Sequence, residues 1–367
     1  MNFEIITVMC IVVFFLMIPW VGALHVRQRW RGLRKQLLAS LSVPRLRYHD
    51  QSTAAHFVSG NCVGCRRMIG VIDAVEGDST LWISNGEVSA AVEMTGQHLV
   101  VLSGMQEDLM YESSAEVGKT PVVIPWDRMF TISQGTQVYL FGRVVAENGR
   151  LVFTPESNRS LLIVLFEGAP ELLLYRAVWN ARQRNEFYNQ MTPGSLTLGS
   201  AVLLLLAFLL LGNPDARLWG LIALTMSFTP LLPLVPPGVG AYYGFRRLWQ
   251  SARVMRSRRD LIKAAEVISA ASECTRLSAQ AADEKVRQGI PRVWSGLSES
   301  EVLYASPQQQ DCSDILQRPL LLPVNPQQIM IRLNTRAHLF EGAAVLLFCV
   351  GQVVNTYLLF VLLSYAV

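Results

Sequence analysis

The sequence is short of charge. Asp, Glu, Lys and Arg make up only 16% of its 367 residues, while 51% are apolar. A soluble domain usually carries about 25% charged residues. The deficit excludes a disordered chain and argues against an ordinary soluble enzyme. Histidine is scarce as well, with only His25, His49, His56, His98 and His338. There is no Gly-x-x-x-x-Gly-Lys-Ser/Thr loop, no Gly-x-Ser-x-Gly elbow and no His-Glu-x-x-His. Phosphate-cradling loops, hydrolase nucleophile turns and zinc-protease helices are therefore missing. The acids of residues 73–116, such as Glu107-Asp108 and Glu112, read as a solvated loop rather than a catalytic pair. These absences favour a non-enzymatic protein. A net charge of +4 is too small to call for a nucleic acid, and none is expected.

What is present in excess is long apolar stretches. Four stand out: Ile5 to Leu24, Leu196 to Leu211, Leu218 to about Phe245, and Gly342 to Val367. About 20 helical residues cross a hydrocarbon core of about 30 Å. The first and fourth meet that length, and the second does so by adding Pro193 to Thr197. The third holds Pro230, Pro233, Pro236 and Pro237. Each proline removes a backbone donor and bends a helix. We read it as a kinked span, with a re-entrant hairpin as the alternative. The expected fold is an integral membrane protein of about four helical spans. It carries a cytoplasmic all-β domain (OB-like or small barrel) and a second, helical polar region.

Charge placement sets the expected orientation. Only Glu4 precedes the first apolar run, and Arg27, Arg29, Arg31, Arg34 and Lys35 follow it. That order marks a retained anchor rather than a cleaved signal peptide. Arg246, Arg247, Arg253, Arg256, Arg258 and Arg259 follow the third run, and Arg332 and Arg336 precede the fourth. Cytoplasmic loops carry the excess of Lys and Arg. The reading is a multi-pass inner-membrane protein with both termini outside and both polar regions cytoplasmic. The same basic clusters, beside Trp30 and Trp249, can meet anionic lipid headgroups. No ionised group lies in the middle of a run, which argues against a pump, a proton relay or a voltage sensor. Gln352 and Asn355 lie inside the fourth run. They read as groups that bond between helices or between copies in a homo-oligomer, with a polar pathway as the alternative.

The domain plan reads as follows. Residues 1–24 form the first anchor and 25–67 a basic juxtamembrane helix and linker. Residues 68–169 are β-rich, and 170–190 form an amphipathic helix. Residues 195–245 hold the second and third spans. Residues 246–286 form a long basic helix, 287–337 a polar linker and 338–367 the last span. Expected strands are Met68–Ala74, Thr80–Ser84, Val88–Met94, His98–Leu102, Val122–Trp126, Gln137–Val145, Leu151–Thr154 and Leu161–Phe166. Asn85-Gly86 and Asn148-Gly149 signal hairpins. On the amphipathic helix Leu174, Ala177, Val178, Ala181 and Tyr188 share a stripe, with Arg176, Arg182 and Arg184 off it.

The sharpest chemical motif is Cys62-Val63-Gly64-Cys65. Two thiols in such a turn can chelate a metal or cycle between dithiol and disulfide. No cofactor is expected overall; zinc is the one the motif admits, with His49 or His56 as further ligands. No second Cys-x-x-Cys completes a four-sulfur site. A purely structural role remains the bland reading.

Two segments carry a family resemblance. Thr120-Pro121-Val122-Val123-Ile124-Pro125-Trp126-Asp127 is one; Val138-Tyr139-Leu140-Phe141-Gly142-Arg143-Val144-Val145 with Gly149-Arg150-Leu151-Val152-Phe153 is the other. With the order anchor, β domain, amphipathic helix and span, residues 1–212 resemble the GIDE/MULAN-type domain of membrane-embedded ubiquitin ligases and their bacterial relatives. That family's ligase activity resides in a C-terminal RING, whose Cys/His series is absent here. The resemblance implies a membrane-held β domain of interaction type with a protein partner. The alternatives are a transporter or channel component built on the third and fourth runs, and a membrane thiol or metal protein centred on Cys62 and Cys65.

Overall fold

The computed structural model describes residues 3–48, 62–77, 79–102, 122–128, 132, 134–147, 150–155, 161–168, 170, 173–174, 176–178, 189–269, 273–288, 301–306 and 320–366. The chain divides into two compact units. One comprises Met1–Arg31, Arg184–Arg256 and Arg332–Val367; the other comprises Gly32–Gln183 and Ser257–Ile331.

The first unit is helical. Three helices are long and apolar enough to cross a membrane: α1 (Phe3–Leu41), α2 (Met191–Leu211) and α6 (Pro326–Ala366). Helix α1 widens to a π-helical stretch at Val12–Met17. The third apolar run is not one helix. It divides into α3 (Arg217–Ser227) and the start of α4 (Gly238–Ser269), with a short 3-10 turn at Leu232–Leu234 between them. Four prolines in eight residues leave no continuous ladder of backbone donors, which is why the helix stops and restarts.

Helices α1 and α2 run antiparallel. Ser195 Oγ donates to the Phe14 carbonyl at 2.5 Å, and Asn189 Nδ2 reaches the Pro19 carbonyl at 3.4 Å. Leu203, Ala207 and Ala223 bury against Cys10, Ile11 and Phe15. At the opposite end, Trp219 Nε1 donates to Glu4 Oε1 at 3.2 Å. Helices α4 and α6 also run antiparallel. Gly351 meets Ala241 so closely that an added Cβ would lie 2.5 Å from Ala241 Cβ. Phe245 packs on Phe348 at 5.3 Å between centroids. Small residues at such crossings let backbones approach.

The second unit holds a mixed sheet of eight strands, and every strand expected from the sequence is present. They are β1 (Cys62–Glu76), β2 (Thr80–Ser84), β3 (Ser89–Glu93), β4 (His98–Leu102), β5 (Val122–Pro125), β6 (Gln137–Glu147), β7 (Arg150–Thr154) and β8 (Leu162–Phe166). The order is β1-β2-β3-β7-β6-β8-β4-β5, and β1 also pairs with β6. Five strands therefore close a ring, β1-β2-β3-β7-β6 and back to β1. Within it β3 and β7 are parallel and the other neighbours antiparallel. Period-two alternation sends one face inward. Val138, Leu140, Val144 and Ala146 of β6 join Met68, Ile72, Leu81, Ile83, Val92 and Phe153 in one core. Asn85 makes the expected hairpin, its Oδ1 accepting from the amides of Glu87 at 2.9 Å and Val88 at 2.7 Å.

The end of α1 is fastened to this sheet. Tyr139 lies on the outer face of β6 yet is fully buried, and its hydroxyl is 2.5 Å from Ser40 Oγ. Leu46 N and Arg67 N exchange bonds with the Arg67 and Pro44 carbonyls, at 2.8 and 3.1 Å.

Three expectations are corrected. The basic helix does not reach residue 286; it ends at Ser269, and β9 (Glu273–Ser278) follows, then α5 (Ala279–Arg287). The region expected to be a polar linker holds β10 (Glu301–Ser306) and β11 (Leu320–Pro323), which form a second sheet in the order β11-β10-β9. Helix α6 then starts at Pro326, twelve residues before the expected span. Local alanine content suggests helix for Ala264–Ala282, but pairing with β10 overrides it at Glu273–Ser278. Arg176, off the apolar stripe, is nonetheless buried. It is 2% exposed beside Leu173, Leu174, Ala177 and Val178, and its guanidinium donates to the Glu167 carbonyl. Burial lowers its pKa from the ordinary arginine value, and the Glu167 carboxylate partly offsets this. Arg182 and Arg184 lie outside the described residues.

Candidate functional site

The Cys-x-x-Cys motif sits on a strand, not in a turn. Strand β1 begins six residues earlier than expected and includes it. A bulge interrupts the β1–β6 register here: Cys62 is opposite Val145, Gly64 opposite Val144 and Cys65 opposite Arg143. Gly64 has φ +108, a region that favours glycine. The extra residue has a direct consequence. In a regular strand, residues three apart face opposite sides. Here the partners of the two cysteines are two residues apart on β6, so both thiols share the outer face. Arg143 shares that face, and its Nε donates to Cys62 Sγ at 3.1 Å. Cys62 and Arg143 are exposed and Cys65 is half-buried. Among the described residues, no three His, Cys, Asp or Glu side chains gather as a metal would require. His49 and His56 lie outside the described residues. A guanidinium beside one sulfur suits a thiol pair better than a cation.

The ring also presents a surface that sequence reasoning missed. On β2, Leu81 and Ile83 point inward and Trp82 outward. Trp82 Nε1 donates to Glu76 Oε2 at 2.8 Å, and the Arg150 guanidinium stacks 5.4 Å from its ring centroid. A half-buried tryptophan held between an acid and an arginine has the composition of an interface anchor. Strand pairing brings these three residues together from β1, β2 and β7, so no local motif announces them.

The polar pair of the fourth run divides. Asn355 is 3% exposed, and its Nδ2 donates to the carbonyls of Leu232 at 2.6 Å and Val235 at 2.8 Å. Those carbonyls belong to the proline-rich break between α3 and α4. A Cβ on Gly238 would overlap the Asn355 amide at 2.2 Å. Asn355 therefore pins the interrupted segment. Its Oδ1, and Gln352 Oε1 one helical turn away, are buried without a hydrogen-bond partner among the described residues.

The arginine clusters divide as well. Arg29, Arg31, Lys35, Arg246 and Arg247 are exposed, and Arg27, Arg258 and Arg259 are partly so. Arg34, Arg253 and Arg256 are buried instead. Arg34 and Arg259 both meet Asp260, at 3.6 and 2.8 Å. Arg253 stacks on Trp249 at 4.6 Å. Arg256 pairs with Glu341 and approaches His338 Nδ1 at 3.4 Å. Acids distant in sequence thus pair with Arg34 and Arg256.

Comparison with family models, curated proteins and solved structures returns no match.

Proposed function

We propose that this is a non-enzymatic, multi-span membrane protein that presents an OB-like domain to a protein partner at the cytoplasmic face. The observation that carries the interaction role is Trp82, aimed outward from β2 between Glu76 and Arg150. In the OB fold the face of strands 2 and 3 binds oligonucleotides and oligosaccharides, and the same face is the one we assign to a protein partner here. The ring order β1-β2-β3-β7-β6 with a parallel β3–β7 pair supports that assignment. The end of α1 fastened at Tyr139 supports a domain held by its anchor.

Lipid contact is supported by large apolar side chains that face outward. Phe208 is 78% exposed and Leu205 63%, a surface that water would penalise. Two antiparallel pairs support the proposed orientation. The basic end of α1 lies beside the start of α2, and Arg246 and Arg247 of α4 lie toward the Arg332–Arg336 end of α6. With both basic ends cytoplasmic, α3 and α4 make one interrupted crossing and the count is four. Anionic headgroups then meet the exposed arginines.

Two experiments test this reading. A photo-crosslinking residue at position 82 is expected to trap one discrete protein adduct in cells, lost when Arg150→Ala is added. A surface at 80, 82 and 84 that traps nothing overturns the partner role. Cysteine-accessibility mapping is expected to protect Cys62 and Cys65 from an impermeant reagent in intact cells. Labelling there overturns the orientation.

A second reading, a transport or channel component, is favoured by the interrupted segment with two buried acceptors beside it, Asn355 Oδ1 and Gln352 Oε1. Interrupted helices line substrate sites in many transporters. Solute or ion flux in proteoliposomes that Gln352→Leu abolishes would favour it; absence of flux would remove it.

A further inference from the structure

We propose that Cys62 and Cys65 form a reversible dithiol–disulfide couple on the outer face of β1, oxidised by exchange with a small-molecule disulfide. The inference does not depend on the partner reading above. It stands on the bulge. A disulfide needs its Cα atoms about 4.4–6.8 Å apart. Two residues separated by three regular strand steps are about 10 Å apart, which forbids the bond. The register here advances only two steps on β6, from Val145 to Arg143, while β1 advances three residues. Two steps correspond to about 6.6 Å, at the upper edge of that range, with both side chains on one face; bond formation then requires the bulge to draw the Cβ atoms in to about 3.5–4.5 Å. The same motif without the bulge would hold two inert thiols back to back.

The exposures assign an order to the two sulfurs. Cys62 is exposed and Cys65 half-buried. Cys62, as its thiolate, attacks one sulfur of the small disulfide; that S–S bond breaks and one small thiol leaves with the electron pair and a proton from solvent. The Cys65 thiolate then attacks the Cys62 sulfur of the mixed disulfide and expels the second small thiol. Overall, two protein thiols and one small disulfide become one protein disulfide and two small thiols, and two electrons leave the protein. Arg143 is a positioning residue. Its Nε holds Cys62 Sγ at 3.1 Å, and its charge attracts a disulfide bearing carboxylates, such as glutathione disulfide. In a reducing compartment a disulfide of this kind is transient and reports redox state.

The test uses the full-length chain in detergent, equilibrated against mixtures of reduced and oxidised glutathione. It is then acid-quenched, alkylated and digested, and the peptide carrying both cysteines is weighed. The wild type is expected to lose both alkylation sites together and to regain them on reduction. Cys65→Ser is expected to accumulate a glutathione adduct at Cys62. Cys62→Ser is expected to slow oxidation at Cys65 at least tenfold. Arg143→Gln is expected to slow the first step severalfold, with rescue by Arg143→Lys. Gly64→Val, which cannot readily hold φ +108, is expected to lower the disulfide yield at least tenfold while circular dichroism stays unchanged. A wild-type chain that stops at the mixed disulfide overturns the proposal. So does one that keeps both thiols in fully oxidised buffer, or a Gly64→Val chain that oxidises like the wild type.

Discussion

The hydroxyl of Tyr139 lies 2.5 Å from Ser40 Oγ, and Ser40 in turn donates to the Leu37 carbonyl at 2.7 Å. A side chain from the middle of β6 thus ends on the last turns of an apolar helix almost a hundred residues earlier. The chain of bonds runs one way, from phenol to serine to backbone, so its two members are not equivalent.

That asymmetry is measurable. Tyr139→Phe removes a donor and leaves Ser40 with its bond to Leu37, at about 1 kcal/mol. Ser40→Ala removes an acceptor from a fully buried phenol and costs about 1–3 kcal/mol. Thermal unfolding of the detergent-solubilised chain should rank Ser40→Ala as the more damaging. Equal shifts in Tm would mean that water reaches the phenol.

Asn355 supplies donors to two carbonyls of the proline-rich break. Asn355→Leu should cost about 0.5–1.5 kcal/mol, because the Leu232 and Val235 carbonyls keep the backbone donors of Val235 and Val239. Interhelical polar contacts in membranes average about 0.6 kcal/mol, which favours the low end of that range. Gly351→Leu should be worse, since it drives α4 and α6 apart at Ala241. Size-exclusion profiles after stepwise heating will report both. An Asn355→Leu chain as heat-resistant as the wild type would deny the pin its role.

The Arg256–Glu341 pair is 10% and 15% exposed at its side chains. Breaking such a pair from one side costs about 3–5 kcal/mol, whereas replacing both partners with apolar groups is often neutral. Arg256→Met alone should therefore sharply reduce the yield of folded protein, and adding Glu341→Leu should restore most of it. If the double variant is the worse of the two, the pair contributes net stability.

Much of the sheet could be read in the sequence, because alternation and turn residues are local signals. Leu81, Ile83, Val138 and Leu140 point inward as their spacing demands, and Asn85 turns the chain where it should. The proline cluster likewise announced a broken third run. What stayed hidden depends on partners distant in the chain. The bulge at Cys62–Gly64 exists only against β6, so the motif read as a turn. Arg256 read as a headgroup contact because Glu341 is 85 residues away. Trp82 looked like one more strand residue until β1 and β7 brought Glu76 and Arg150 to it. Strand β9 was hidden by its alanine-rich neighbours, since a polar strand of six residues gains its stability from β10.

The β1–β6 pairing has a consequence for the time course of synthesis. Cys62 must find Val145, 83 residues later in the chain. At about 5–20 residues per second, β6 emerges roughly 4–17 s after β1. Until then the ring is open, Met68 and Ile72 have no lid, and the two thiols have no common face. The nascent chain therefore passes through an interval in which its first strand is committed to a neighbour that does not yet exist, with α1 already complete ahead of it.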